Sequence, residues 1–421
     1  MITYSHPCQT FTPVGNPVRL GFTSDNANMV FMRMQVYILN LSNLTNTLLT
    51  TIDMFPRPNE PLVCRADMSK TLSDYVNTKL RPSIASTVEA VDEAGIMVGC
   101  VVVEHIFNAT TGVIAPGASY TTSAFTYAFN GTLDNVSFAN YNSEIYSLST
   151  AIPNNRRFLT MKQPERNTHL NYHSKEFVHY FLPTAKTYLA LSIQYFNTGS
   201  GTSLNKTISY GLAAPNQSGG IKRLNVSPTA LFTPAELINL SHYNIQLVQS
   251  NAAGTLATPM TVKYNYTYHQ DVCKPIYVHW LNKFGCFEVN EFLVIDPSLS
   301  VEKETSVMNT TTNVGGYMQD YTSDPSSIFY NELERTLNIK SNMTFKMSTR
   351  QLRDNEMKHL AAIFQARKIF IEYDDTVNAK VNFIPVQLLD NTYSMTPRRL
   401  MTENNIKTLS FKMPDGFQFD Y

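Results

Sequence analysis

Charge is scarce in this chain. Asp, Glu, Lys and Arg make up 16% of its 421 residues, against roughly 25% in an average soluble protein. What charge there is cancels, with 33 basic and 33 acidic residues. Proteins that bind nucleic acid by neutralising phosphates carry a basic excess. None is visible here, so no direct nucleic-acid binding is expected beyond passage of a nucleic acid through a channel. A neutral chain also repels its own copies little, which favours association. No stretch approaches the roughly 18 apolar residues of a membrane span. The opening Met1-Ile2-Thr3-Tyr4-Ser5-His6 lacks the basic and apolar regions of a signal peptide. Five scattered cysteines, an odd number, do not read as a disulfide framework. Nucleophile-elbow, P-loop and zinc-protease motifs are all missing, so neither a catalytic residue nor a cofactor is expected.

Apolar residues are plentiful at 43%, enough for packed cores and incompatible with a disordered chain. Neutral polar residues and tyrosine replace the missing charge. Most of the patterning has period two, the mark of a strand with one buried face. Val30, Met32, Met34, Val36 and Ile38 alternate with Phe31, Arg33, Gln35, Tyr37 and Leu39. Phe125, Tyr127 and Phe129 lead to Asn130-Gly131, a strong hairpin signal, after which Leu133 opens another run. Further strands are expected at Tyr188 to Phe196, around Tyr243 to Leu247, and at Val262 to Tyr268. In that last strand Tyr264, Tyr266 and Tyr268 form an aromatic stripe on one face.

Helix signals are few. Asp67 can cap a helix bearing Met68, Leu72, Tyr75 and Val76, ended by Arg81-Pro82. Thr233-Pro234-Ala235-Glu236 has an N-cap, Pro at the first helical position and an acid at the third. Met357, Leu360, Ala361 and Phe364 give the best helix, from about Arg353 to Ala366, with Asp354 and Glu356 at its positive end. Strands flank this helix at Met343 to Met347, Lys368 to Tyr373, Val381 to Leu388 and Lys407 to Met413. The tail therefore reads β-α-β-β-β, a helix covering one face of a small antiparallel sheet. Gly199 to Gly220 reads as a loop and Val307 to Ser327 as a linker or long loop.

The expected class is mainly β: sandwich-like β domains plus a C-terminal β-α-β-β-β domain. The expected divisions are an N-terminal β domain with one helix (1–140), a central β domain with a Trp-containing hairpin (141–306) and the C-terminal domain (328–421). The hairpin follows from Ile276, Val278 and Trp280 alternating with Tyr277, His279 and Leu281. Asn282-Lys283-Phe284-Gly285 forms its turn, and Phe287 and Val289 start the return strand. Trp280 reads first as a core anchor and second as an interface hot spot.

Three stretches, taken in order, resemble one family. Gly15-Asn16-Pro17-Val18 precedes a long strand, a turn at Phe55-Pro56-Arg57-Pro58 and a helix ending Leu72-Ser73-Asp74-Tyr75-Val76. Pro275-Ile276-Tyr277-Val278-His279-Trp280-Leu281-Asn282-Lys283-Phe284-Gly285-Cys286-Phe287-Glu288 follows, with Cys286 where the related pattern carries a second Gly. An amphipathic helix, strands and Leu409-Ser410-Phe411-Lys412-Met413 close the chain. This order resembles the virion structural proteins of Bacteroidetes-infecting phages, the crAss-like group included. The resemblance implies a β-rich tail, neck or baseplate component, assembled in the host cytoplasm and resident in the virion.

Other constellations have simple readings. His269, Cys273, His279 and Cys286 have metal-ligand chemistry but not zinc-finger spacing, so no metal is expected. Glu288 with Glu291 or Asp296 could form a glycosidase pair, yet any β-protein offers many such pairs. Pro397-Arg398-Arg399 reads as a solvated turn. Trp280, Phe284, Gly285, Phe287, Tyr264, Tyr266 and Tyr268 are the interface or structural candidates. The expected function is non-enzymatic: a tail, neck or hub subunit forming a homo-oligomeric ring or sleeve with itself and other phage virion proteins. The alternative is a receptor- or carbohydrate-binding module at a tail tip.

Overall fold

The computed structural model describes residues 1–6, 8–39, 45–81, 88–122, 126–148, 155–165, 167–184, 188–210, 219–250, 256–270, 275–307, 334–375, 380–392 and 406–414. The chain is mainly β, with antiparallel sheets packed as sandwiches. Apolar residues at alternate positions make the larger sheets two-faced, and their inner faces close over cores.

The first sandwich pairs a three-stranded with a six-stranded sheet. Arg19–Ser24 lies between Ile2–His6 and Val63–Asp67. In the larger sheet Gly95–Asn108 pairs with Met29–Leu39, Val113–Thr121 and Thr126–Phe129; Asn46–Met54 and Phe11–Pro13 complete it. The alternation of Met29–Leu39 is realised as expected: Met32, Met34 and Val36 are fully buried, opposite Glu104, Val102 and Cys100 on the neighbouring strand.

A second six-stranded sheet runs Thr168–Asn171, Tyr264–His269, Leu240–Ser250, Leu189–Asn197, Ser203–Ser209, with Leu256–Pro259 attached to Leu240–Ser250. Its inner face shares a core with the short sheet Phe177–Leu182, Gly220–Asn225, Val88–Ala90. Val88–Ala90 comes from the N-terminal third, so strand pairing crosses the expected division at residue 140. Part of the stretch read as a loop, Ser203–Ser209, is a strand, because Gly199 supplies the left-handed turn of a hairpin with Leu189–Asn197.

The seven-stranded sheet has the order Lys380–Pro385, Ile369–Asp375, Ile276–Leu281, Phe287–Val307, Glu334–Ser348, Thr408–Lys412, Gln387–Leu388. The expected Trp280 hairpin is present, but sheet pairing joins it to the C-terminal strands rather than to the central ones. The helix Asp354–Ala361 continues as a 3₁₀ turn, Ala362–Gln365. It lays Met357, Leu360 and Ile363 on this sheet, in one cluster with Val278, Trp280 and Phe345.

Two local expectations are corrected. Asn130-Gly131 does not turn a hairpin: after Thr126–Phe129 the chain enters a short helix, Asn135–Ala139, capped by Asp134. The dipeptide instead packs against the hairpin turn, where Thr132 donates its N–H to the Lys283 carbonyl at 3.0 Å. The first helix is also shorter than its apolar pattern, Ser69–Ser73, and leaves Tyr75 half exposed. Pro82, the 308–327 linker stretch and Pro397-Arg398-Arg399 lie outside the described residues.

Candidate functional site

Chemistry-bearing side chains gather where the central sheets meet the seven-stranded sheet and its helix. Period two sets the arrangement. Trp280 lies opposite Glu288 in the hairpin register, so both share the helix-covered face. His359, in the last turn of the helix, reaches them both. Its Nε2 pairs with Glu288 Oε2, and its ring lies 5.2 Å from that of Trp280. The other Glu288 oxygen accepts from Met161 N at 2.6 Å and from Asn282 Nδ2 at 2.8 Å. One carboxylate thereby ties a central loop, the hairpin turn and the helix together.

Glu372 plays the same part beside it. It accepts from Lys175 Nζ and pairs with His279 Nε2 at 2.8 Å. Lys175 also lies over the Tyr277 ring, 4.4 Å from its centroid. Glu176 pairs with Lys162 and accepts from Tyr266 OH at 3.4 Å. Glu356 accepts from His169 N and from Arg353 N, both at 2.9 Å. Arg350 donates to the His169 carbonyl. Glu291 accepts from Asn171 Nδ2 at 3.1 Å.

Burial governs the protonation of this cluster. It pushes the Glu291 carboxyl upward, with Arg350 pulling the other way. It would also raise Glu288, but His359 and Asn282 outweigh it and hold that carboxyl down to about 2. Glu372 is lowered too: burial opposes ionisation, and His279 and Lys175 overcome it. His169, His179 and His279 shift toward the neutral form. Burial takes His169 down to about 4, against the pull of Glu356. It takes His179 down to about 3, helped by Arg223 directly across the strand pair. His279 is lowered by burial in spite of Glu372.

Lys162, His169, Glu176, Glu291, Arg350 and Glu356 line a cavity of about 30 Å³. A water needs on the order of 10–15 Å³, so the space suits about two waters and no sugar ring. His169 Nε2 is buried without a protein partner at this place, and water can satisfy it. Chemically the arrangement is a hydrated ionic brace: its carboxylates join loop, strands and helix, and each already has a protein partner.

The hairpin residues singled out in the sequence fall beside this brace. Trp280, Phe284 and Phe287 are buried, as are Tyr264, Tyr266 and Tyr268, and Gly285 is enclosed in the turn. Their positions belong to the chain's own core, the structural one of the two roles read for them, and Trp280 is the core anchor it was first read as. Tyr264 packs on Phe158 and Tyr266 stacks on Tyr243. At Gly285, φ is +70°, and a Cβ there would lie 1.9 Å from the Asn130 carbonyl oxygen. The left-handed position is thus Gly285, and buried Cys286 follows it.

Glu288 and Glu291 do not form a glycosidase pair. Three residues apart on one strand, they leave opposite faces and bind different partners. The Asp296 side chain lies outside the described residues, as does Cys273. His269 meets His169 edge-on at 4.9 Å, whereas His279 and Cys286 stand apart in the core. No group of three metal-ligating side chains occurs among the described residues.

Sequence reasoning missed Lys162, Glu176, His359 and Glu372, and the strands Phe177–Leu182 and Gly220–Asn225. A signal was present. His179 interrupts the apolar run Phe177–Leu182, and Lys222-Arg223 interrupts Ile221 to Val226. Charge inside a strand buried on both faces calls for partners. Arg223 has Glu89 at 3.3 Å and lies over the Phe177 ring at 3.9 Å.

No family model matches the chain. No curated protein matches it either. Among solved structures, CBD12 from CALX1.2 aligns over 58% of this chain and 79% of its own, at 5% identity and TM-score 0.15. The calcium-binding domain CBD12 of CALX1.1 aligns over 63% and 99%, at 5% identity and TM-score 0.17. A major pilin from Streptococcus pyogenes aligns over 62% and 97%, at 9% identity and TM-score 0.11. At these scores the likeness carries no argument about this chain. No helix among the described residues is long and apolar enough to cross a membrane.

Proposed function

We propose that the chain is a non-enzymatic architectural subunit of a phage particle, a tail, neck or hub component that assembles with its own copies and with other virion proteins. The observation that supports an architectural role is the ionic brace. Glu176, Glu288, Glu356 and Glu372 are each engaged by side chains or backbone from other elements. The cavity that Glu176 and Glu356 line has the volume of about two waters. Side chains of catalytic type are here spent on locking sheets together. A rigid multi-sheet body is what a load-bearing assembly requires, because each copy must present its surfaces in fixed relation. The place in a phage particle rests on the sequence resemblance alone.

The direct test is electron microscopy of the intact particle with this chain located, alongside sizing of the purified protein with its neighbours. The expected outcome is repeated copies in a ring or sleeve. A chain that stays monomeric at high concentration and does not join other virion proteins refutes the proposal. So does turnover of a glycan by the purified chain.

A further inference from the structure

The outer face of the larger N-terminal sheet is apolar at its exposed end. Phe55, Phe31 and His105 form a row across three adjacent strands. The Phe31 and His105 rings stack at 4.3 Å, and Phe55 lies 5.5 Å from Phe31. Phe107, two residues beyond His105 on the same strand, and Ile114, paired with it on the next strand, extend the row. Phe55 is 66% exposed, Phe107 44% and Ile114 46%. Leu48, half exposed, lies opposite Tyr37 at the other end of the face. Monomers rarely leave such contiguous apolar surface bare.

We infer that this face packs against the same face of a second copy of the chain. The inference rests on the assembly reading above and names the surface that performs it. Two arguments select a second copy. The first is charge. Register places only Arg33 and Asp53 as charged residues among the outward positions of Phe31 to Tyr37 and their cross-strand neighbours. They form a two-pronged pair at 2.7 and 2.9 Å. A two-fold contact sets a patch against itself, so a patch of one sign repels itself and a neutral one does not.

The second argument is area. Four strands about 4.8 Å apart and about seven residues at about 3.4 Å span roughly 19 by 24 Å. Two such faces bury on the order of 900 Å², close to the ~1,000 Å² at which contacts become specific. A face that pairs with itself is used up in one two-fold contact, so the contact is weak alone and adds to an assembly whose ring closes through a second, head-to-tail surface. A glycan fits the face less well. The Phe31 ring is already stacked on His105 and faces the Arg33 guanidinium at 5.8 Å, which leaves Phe55 and Phe107 as the open rings of the row.

The test uses the full chain with Phe55→Asp and Phe107→Asp combined. Both side chains are exposed, so the fold is expected to survive, checked by an unchanged melting temperature. Sedimentation over a concentration series is expected to show self-association that the double variant weakens at least tenfold. Val103→Cys, at the centre of the face, is expected to give a disulfide-linked dimer on mild oxidation. Wild-type association that the double variant leaves unchanged overturns this face but not the assembly reading. Loss of incorporation into particles, without any self-association of the wild type, replaces the second copy with another virion protein. Glycan binding abolished by the double variant also overturns the inference.

Discussion

Acid should unfold this protein well before its carboxylates are titrated, and His179 is the sharpest place to test that. The ring is buried on Phe177–Leu182, directly across from Arg223. Burial and that guanidinium take its pKa from 6.5 down to about 3. A folded pKa below the unfolded one means that the unfolded chain binds more protons throughout this window. The contribution to stability is thus complete above about 6.5 and lost as pH falls toward 3. At about pH 5 the loss is about 1.5 pH units at ~1.36 kcal/mol each, or ~2 kcal/mol. His169, lowered to about 4, loses a similar ~2 kcal/mol over the same range. His279, lowered by burial, adds in the same direction. Glu291 has the opposite sign. Its raised carboxyl disfavours the fold as pH rises, so acid returns part of the loss. A total of ~4 kcal/mol is a large share of the 5–15 kcal/mol typical of folded domains.

The assay is urea unfolding at about pH 7.5, 6 and 5, read by Trp280 fluorescence. Trp280 is the sole tryptophan, fully buried and packed on His359. The expected result is a midpoint that falls steadily below about pH 6.5, with His179→Gln removing ~2 kcal/mol of the pH dependence. A stability that stays level from about pH 7.5 to 5, or a dependence unchanged by His179→Gln, refutes the reasoning.

Substitutions at three positions probe the hinge of the Trp280 hairpin. Asn282→Ala removes an amide that donates to Leu159 O and Glu288 Oε1 and accepts from Phe284 N and Cys286 N, at 2.8 to 3.1 Å. With ~1–3 kcal/mol for each group left buried and unpaired, a loss of ~4 kcal/mol in chemical denaturation is expected. Gly285→Ala is expected to cost ~1–2 kcal/mol from its left-handed backbone alone, and more from the clash with the Asn130 carbonyl, seen as a lower melting temperature. Trp280→Ala is expected to lose ~3–5 kcal/mol. Trp280→Phe should lose clearly less in the same melts, since the indole N–H has no hydrogen-bond partner among the described residues to forfeit.

The legible part of this fold was the part with one wet face. Met29–Leu39 and Tyr264–His269 alternate because one side meets a core and the other does not, and period two announces them. The C-terminal helix was visible for the same reason, through its 3.6-residue stripe. Phe177–Leu182 and Gly220–Asn225 are buried on both faces and have no alternation to read. Asn130-Gly131 misled because the dipeptide's turn preference is local, while the docking of the 282–285 turn against it is not.

The brace was illegible for a deeper reason. Its partners are far apart in sequence: Glu288 meets Met161 and His359, and Glu372 meets Lys175 and His279. No spacing rule links such positions. What the sequence does display is each half of the bargain separately, as a lone charged residue set among apolar neighbours: Glu288 between Phe287 and Val289, and Glu372 between Ile371 and Tyr373. Burying either alone is prohibitive, so every such residue implies an unseen counterpart. Here the counterparts are histidines and lysines on other elements, and the choice has a consequence. A buried histidine such as His279, whose pKa burial lowers in spite of Glu372, must take up a proton when the medium turns acid. The same interior that stiffens the body at neutral pH therefore sets the acidity at which it lets go.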